Sequence, residues 1–153
     1  MACNKYRSKN YKSSMQFVNA VAQTIPATNT VINPVVLALG NKVTDTGVAF
    51  ELGNNGVYVG CSGLYRISAV VNVTGDTGGD ITFALALNGE VLPETVTTIT
   101  MVDGVAKEVS METIRPINVC NTFGEYVYSV IAYSDATGVG TVNRVSGNAL
   151  KLA

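Results

Sequence analysis

Apolar and polar residues alternate with a period of two along most of this chain. In the run from Gly63 to Val73, Tyr65, Ile67, Ala69, Val71 and Val73 fall on one face of a strand, with Arg66, Ser68 and Asn72 on the other. Further on, Phe83, Leu85 and Leu87 share a face and lead into Asn88-Gly89. That dipeptide is the strongest short hairpin signal, because a two-residue turn needs positive φ at both positions. The same alternation predicts strands over 16–25, 31–39, 48–52, 56–59, 64–73, 81–87, 96–102, 107–114, 125–133 and 147–152. Between them lie Gly53-Asn54-Asn55-Gly56, the segment Gly75 to Asp80, Asp103-Gly104 and the loop 134–140. No window holds apolar residues at i, i+3, i+4 and i+7 for long enough to make an amphipathic helix, so the chain reads as all-β. Turns at this spacing indicate a sandwich or barrel, and the strand count suits a two-sheet antiparallel jelly roll.

One predicted strand departs from alternation. Over 125–133, Tyr126, Tyr128, Val130 and Ala132 take one face and Val127, Ile131 and Tyr133 the other, with Ser129 the one polar residue between them. A sandwich strand with a solvated face shows a polar side. The expectation is therefore that one face meets the opposing sheet and the other a neighbouring subunit, with Tyr126, Tyr128 and Val130 at a trimer interface. A central strand whose outer tyrosine hydroxyls meet water fits the same pattern. The final residues, Ala149 to Ala153, are strand-like rather than tail-like.

Composition sharpens the picture. The 153 residues make one domain, large enough to bury roughly two-thirds of the unfolded surface. Charged residues are 14% of the chain and hydrophobic ones 47%, whereas about a quarter of a soluble domain is usually charged. A surface so poor in charge is expected to be partly hidden in an oligomer. No apolar run approaches the roughly 18 residues of a membrane span, so no membrane partner is expected. Lys5, Arg7, Lys9 and Lys12 put four positive charges and no acid into the first twelve residues, and the remainder carries a net charge of −5. Residues 1–14 thus read as a basic arm and residues 15–153 as the folded head. A basic arm on an acidic body reaches for an anionic partner, or else serves only to keep the chain soluble. Four charges among Tyr6 and Tyr11 are too few for sequence reading of nucleic acid. The arm also lacks the apolar centre of a secretory signal peptide.

Chemistry is sparse. Histidine and tryptophan are absent, which removes Ser-His-Asp and Cys-His arrangements and the commonest metal ligand. No glycine loop has the phosphate-binding spacing. The carboxylate pairs Glu90/Glu94 and Glu108/Glu112 fall on a hairpin tip and on one exposed strand face, where solvated charges are ordinary, so no catalytic residue, metal site or cofactor is expected. Asp76-Thr77-Gly78-Gly79-Asp80 offers oxygen ligands to Ca²⁺ but lacks the five or six spaced donors of a dedicated loop, and reads as a turn. Asn72-Val73-Thr74 fits the glycosylation sequon and, without a signal peptide, carries little weight. Cys3, Cys61 and Cys120 are an odd number without metal-ligand spacing. Free thiols in a chain assembled in a cytosol are expected, though Cys61 and Cys120 lie near strand ends where they could pair.

The Gly63-Leu64-Tyr65 strand, followed by Phe83 to Leu87 running into Asn88-Gly89, resembles the C1q/tumour-necrosis-factor-like jelly roll. The resemblance is to its bacterial and phage branch, similar to the C-terminal domains of spore-surface collagen-like glycoproteins and to phage head-fibre or decoration proteins. It covers roughly residues 44–153 and not a stalk, since no Gly-X-Y repeat is present. It implies a homotrimer built through the inner sheet, with the last strand central in that sheet, and a surface module rather than an enzyme. Some relatives carry calcium near the threefold axis. With the basic arm, it implies a structural virion-surface protein, a capsid decoration or head-fibre protein assembled in the host cytoplasm. The arm would hold a capsid or other virion protein. A tip module binding a receptor or host-surface glycan, or a spore-surface protein, are the alternatives.

Overall fold

The computed structural model describes residues 12–26, 33–119, 126–134 and 140–153. Two antiparallel sheets enclose the core. The first runs β11 (Ala106–Ile117), β7 (Gly63–Gly75), β13 (Gly140–Lys151), β1 (Ser14–Asn19) and β4 (Asn41–Thr46), with β2 (Gln23–Ile25) pairing β13 as well. The second runs β10 (Thr97–Met101), β8 (Gly79–Leu87), β12 (Tyr126–Ser134), β6 (Val57–Val59) and β5 (Phe50–Leu52). To it are added β3 (Val35–Val36) on β12 and β9 (Glu90–Val91) on β8. A 3-10 turn, Pro93–Thr95, is the one helical element among the described residues. The all-β, two-sheet jelly roll predicted from the alternation is the observed architecture, and the C-terminal strand lies in the middle of the first sheet.

Period two does the work in β7. Tyr65, Ile67, Ala69, Val71 and Val73 are all at most 2% exposed and face the second sheet, while the alternate residues are half-buried on the outside. From the other side Ile81, Phe83 and Leu85 of β8 and Tyr128, Val130 and Ala132 of β12 meet them in one core. The expected hairpin joins β8 to β9, with Asn88 at φ 51° and Gly89 at φ 82°. The Asn88 side chain then anchors the tip, its Oδ1 accepting from the Val127 N–H at 2.9 Å. Pro116, which has no N–H, stands in the edge strand β11, where no outward ladder bond is lost.

Three departures from the predicted strands have local causes. The predicted strand 16–25 is two strands, because Asn19 interrupts it: its Oδ1 accepts from the Val21 N–H and its Nδ2 donates to the Ala38 carbonyl, both at 2.9 Å. Gln23 completes this joint by bracketing the backbone N–H and carbonyl of Ala38. The predicted strand 147–152 begins seven residues earlier, at Gly140. A bulge between Val142 and Arg144 leaves Val142 and Val145, three apart, both buried, so the alternation breaks while the strand continues. Finally, β4 has no apolar face at all; its six residues are exposed, and no burial pattern marks it in the sequence.

The head also starts earlier than residue 15. Ser14 already pairs with Leu150 and Thr46. Ser13 is buried, its Oγ accepting from the Val48 and Ala49 N–H groups at 3.3 Å and its carbonyl accepting from the Lys151 N–H at 2.9 Å.

Candidate functional site

The tyrosine-rich strand β12 turns its tyrosines Tyr126 and Tyr128 toward the inside of the sandwich. It sits in the second sheet between β8 and β6, and Tyr128 and Val130 are 1% and 2% exposed inside the sandwich, with half-buried Tyr126 packed on the same core. Of these three residues, expected at a trimer interface, Tyr128 and Val130 are in the core of this chain and Tyr126 lies half-buried against it. On its other face Val127, Ser129 and Tyr133 are half-buried and only Ile131 is fully covered from within the chain. Ile131 is 3% exposed and packs with Ala84, Ala86 and Val91 on the outside of the second sheet. The two alanines on β8 are small enough for the neighbouring Ile131 and Val91 to lie over them.

Tyr128 is nonetheless unusual. Its hydroxyl is buried without a hydrogen-bond partner among the described residues, and burial pushes its pKa up to about 12. Tyr65, equally buried, donates to the Cys61 carbonyl at 2.6 Å, and burial likewise raises its pKa. The Cys61 thiol is free and buried, which pushes its pKa up against a smaller downward pull from Lys151. Cys3 and Cys120 lie outside the described residues.

The outer side of the first sheet is open and presents the residues between the core positions of β7, β13, β11 and β1. Cross-strand register sets them in rows. One row is Ser110, Val70, Ser146 and Val18, and the next is Glu112, Ser68, Asn148 and Gln16. A third is Ile114, Arg66, Leu150 and Ser14. Ser68 donates to Asn148 at 3.0 Å, and Arg66 and Glu112 form an ion pair at 2.8 Å. Val18, Val70, Leu64 and Leu150 are half-buried there, while Val43 and Ile114 are 59% and 53% exposed. A depression of 330 Å³ opens in this face, walled by Gln16, Val18, Val43, Val70, Arg144 and Asn148. Its base is Gly147, where an added Cβ would come within 2.5 Å of the Phe17 ring and 2.3 Å of the Ser68 carbonyl oxygen. Phe17 pairs with Gly147 across β1 and β13 and fills from the core side what the glycine lacks. The polar members Arg66, Ser68 and Asn72 were legible as the off-core side of an alternating strand. Val70 among them was the signal that this side is not simply solvated.

The acidic candidates are dispersed. Asp76 accepts from Thr141 Oγ1 at 2.9 Å in the first sheet and Asp80 from Thr100 Oγ1 at 2.7 Å in the second, so the glycine-rich turn directs its two carboxylates to different strands. Among the described residues no group of three His, Cys, Asp or Glu could hold a metal ion. Glu94 is gripped by Arg115, whose Nε and Nη2 donate to its two carboxylate oxygens at 2.7 and 2.9 Å, and by Thr113 Oγ1 at 2.9 Å. The Arg115 hydrogen bonds, then its own backbone N–H and Thr113, hold its pKa down to about 2. This clamp ties the 3-10 turn to the edge strand β11. Of the basic arm, Lys12 is exposed, and Lys5, Arg7 and Lys9 lie outside the described residues. Among the described residues, no helix is long and apolar enough to cross a membrane.

Comparison with solved structures places this architecture. The fold is similar to murine APRIL at pH 5.0, with a TM-score of 0.62 over 93% of this chain and 100% of that one at 13% identity. It is similar to the PRD1 vertex protein P5, TM-score 0.57, covering 92% and 97% at 14% identity. The globular domain of zebrafish complement 1qA follows the same course, TM-score 0.54, covering 94% and 98% at 8% identity. The fold is a TNF/C1q-like jelly roll. No protein-family model matches the sequence, and no curated protein matches it. At these identities the likeness is one of fold.

Proposed function

We propose that this protein is a structural, non-enzymatic component of a virion surface, a homotrimeric capsid decoration or head-fibre protein held to the particle by its basic N-terminal arm. The observation that carries the reading is the outer face of the first sheet. A sheet side facing only water shows a consistently polar pattern; this one sets Val18, Val43, Val70, Ile114 and Leu150 among serine, asparagine and glutamine residues and the charged Arg66, Glu108, Glu112 and Arg144, with a shallow depression walled by Val18, Val43, Val70 and Arg144. Such a mixed face, apolar in patches with a few charges between them, suits a wet subunit interface. The similarity to a vertex protein supports a place on a particle. Lys5, Arg7, Lys9 and Lys12 supply the basic arm of this reading, and three arms on one trimer would act together, so that weak contacts with an anionic capsid or other virion protein sum to firm attachment.

The test uses the full chain and a form lacking residues 1–11, which leaves the buried Ser13 in place. Both should run as trimers in native mass spectrometry at micromolar concentration and melt at the same temperature. The truncated form should fail to enter particles, and attachment of the full chain should weaken as salt rises, since exposed charges are screened beyond roughly 10 Å at 0.1 M. A monomeric full chain, or normal incorporation of the truncated form, overturns this reading.

A further inference from the structure

The outer face of the first sheet carries its charges asymmetrically. In one row Glu108 of β11, Asn72 of β7 and Arg144 of β13 stand in register. Glu108 and Arg144 are exposed, on either flank of a second depression of 180 Å³ whose other lining residues are Val70, Asn72 and Ser146. Two strand spacings, about 9.6 Å, separate their backbones. Neither has an ion-pair partner among the described residues, whereas Arg66 and Glu112 on the same face are joined. Arg144 follows the bulge in β13, a device that re-aims a side chain. Glu108 stands on β11, the edge strand, where a neighbour approaching from the side meets it first.

We infer that Glu108 of one copy pairs with Arg144 of the next and sets the register in which copies dock. The inference rests on the proposed trimer and names the pair that aligns it. A sheet face with an acidic edge and a basic interior is complementary to a second copy of itself, and rings of identical subunits join two different patches of each copy at every contact. Complementary charges select one register and penalise sliding that brings like charges together. The apolar patches beside them supply contact area and say nothing about register.

The experiment compares the wild-type chain with Glu108→Lys, Arg144→Glu and the double exchange, by sedimentation velocity across a concentration series, with circular dichroism as the check on folding. Both positions are exposed, so every form should fold. Each single reversal should raise the concentration for half-dissociation of the trimer by at least about tenfold. The double exchange, which restores opposite charges, should return close to wild type, a recovery that independent surface effects would not produce. Single variants that assemble like wild type, or a double variant no better than the singles, overturn the pairing while leaving the trimer standing. A monomeric wild-type chain removes both.

Discussion

Two buried tyrosines separate what a hydroxyl does from what a ring does. Tyr65 and Tyr128 are both core residues, yet the first donates to the Cys61 carbonyl and the second has no partner among the described residues. Removing a hydroxyl that is already unsatisfied relieves a desolvation cost, while removing one that serves a buried carbonyl leaves that carbonyl alone. Tyr128→Phe should therefore leave the urea midpoint unchanged or raise it, and Tyr65→Phe should lower stability by about 1–3 kcal/mol. Glu94 gives a prediction in pH. Its folded pKa, about 2, lies below its ordinary 4.5, so its contribution is present above pH 4.5 and is lost as pH falls toward 2. In melting scans between pH 6 and 2, Glu94→Gln should start lower and lose less than the wild type over that window. Equal slopes would remove the clamp from the account of acid stability.

At the scale of elements, the hairpin and the glycine of β13 are demanding for different reasons. An added Cβ at Gly89 meets nothing within 4 Å, so its requirement is backbone alone: φ is 82°. Gly89→Ala should cost about 1–2 kcal/mol, the penalty of left-handed backbone, with no change in core packing. Gly147→Ala instead drives a Cβ into the Phe17 ring and the Ser68 carbonyl and should cost about 1–3 kcal/mol through overpacking. Phe17→Leu should recover part of that loss at position 147 and none at position 89. Denaturant titration of the single and paired variants reads both.

For the whole molecule, the decisive contrast is between a position in the core and one on the open face. Tyr128→Asp places a charge without a partner in the interior, at a cost of several kcal/mol against a total stability of typically about 5–15. It should abolish folding. Val70→Asp stands on the outer side of the first sheet and should leave the strand folded while opposing association at every contact of the ring. Circular dichroism with size-exclusion chromatography distinguishes an unfolded chain from a folded monomer. A Val70→Asp form that still elutes as a trimer moves the interface off this face.

What the sequence determined by itself follows from period two. Wherever one face of a strand is buried and the other is not, alternation records it, and so β7 was legible residue by residue; β8, buried on both faces from Ile81 to Ala86, was legible through its large residues Phe83, Leu85 and Leu87 and the Asn88-Gly89 turn that follows. The absence of histidine likewise bounds the chemistry. Alternation does not record which sheet a strand joins. Tyr126, Tyr128 and Val130 carry the same pattern whether Ile131 on the second face of β12 meets another subunit or the chain's own Ala84, Ala86 and Val91, and only the strand order places it. The exposed edge strand β4 left no mark because it buries neither face, and the start of β13 was hidden because a bulge shifts the alternation by one residue. The open face of the first sheet, with Glu108 and Arg144 two strands apart, exists only in the tertiary structure. Residues thirty-six apart in sequence become neighbours across one row there, and cross-strand register, not local pattern, decides that.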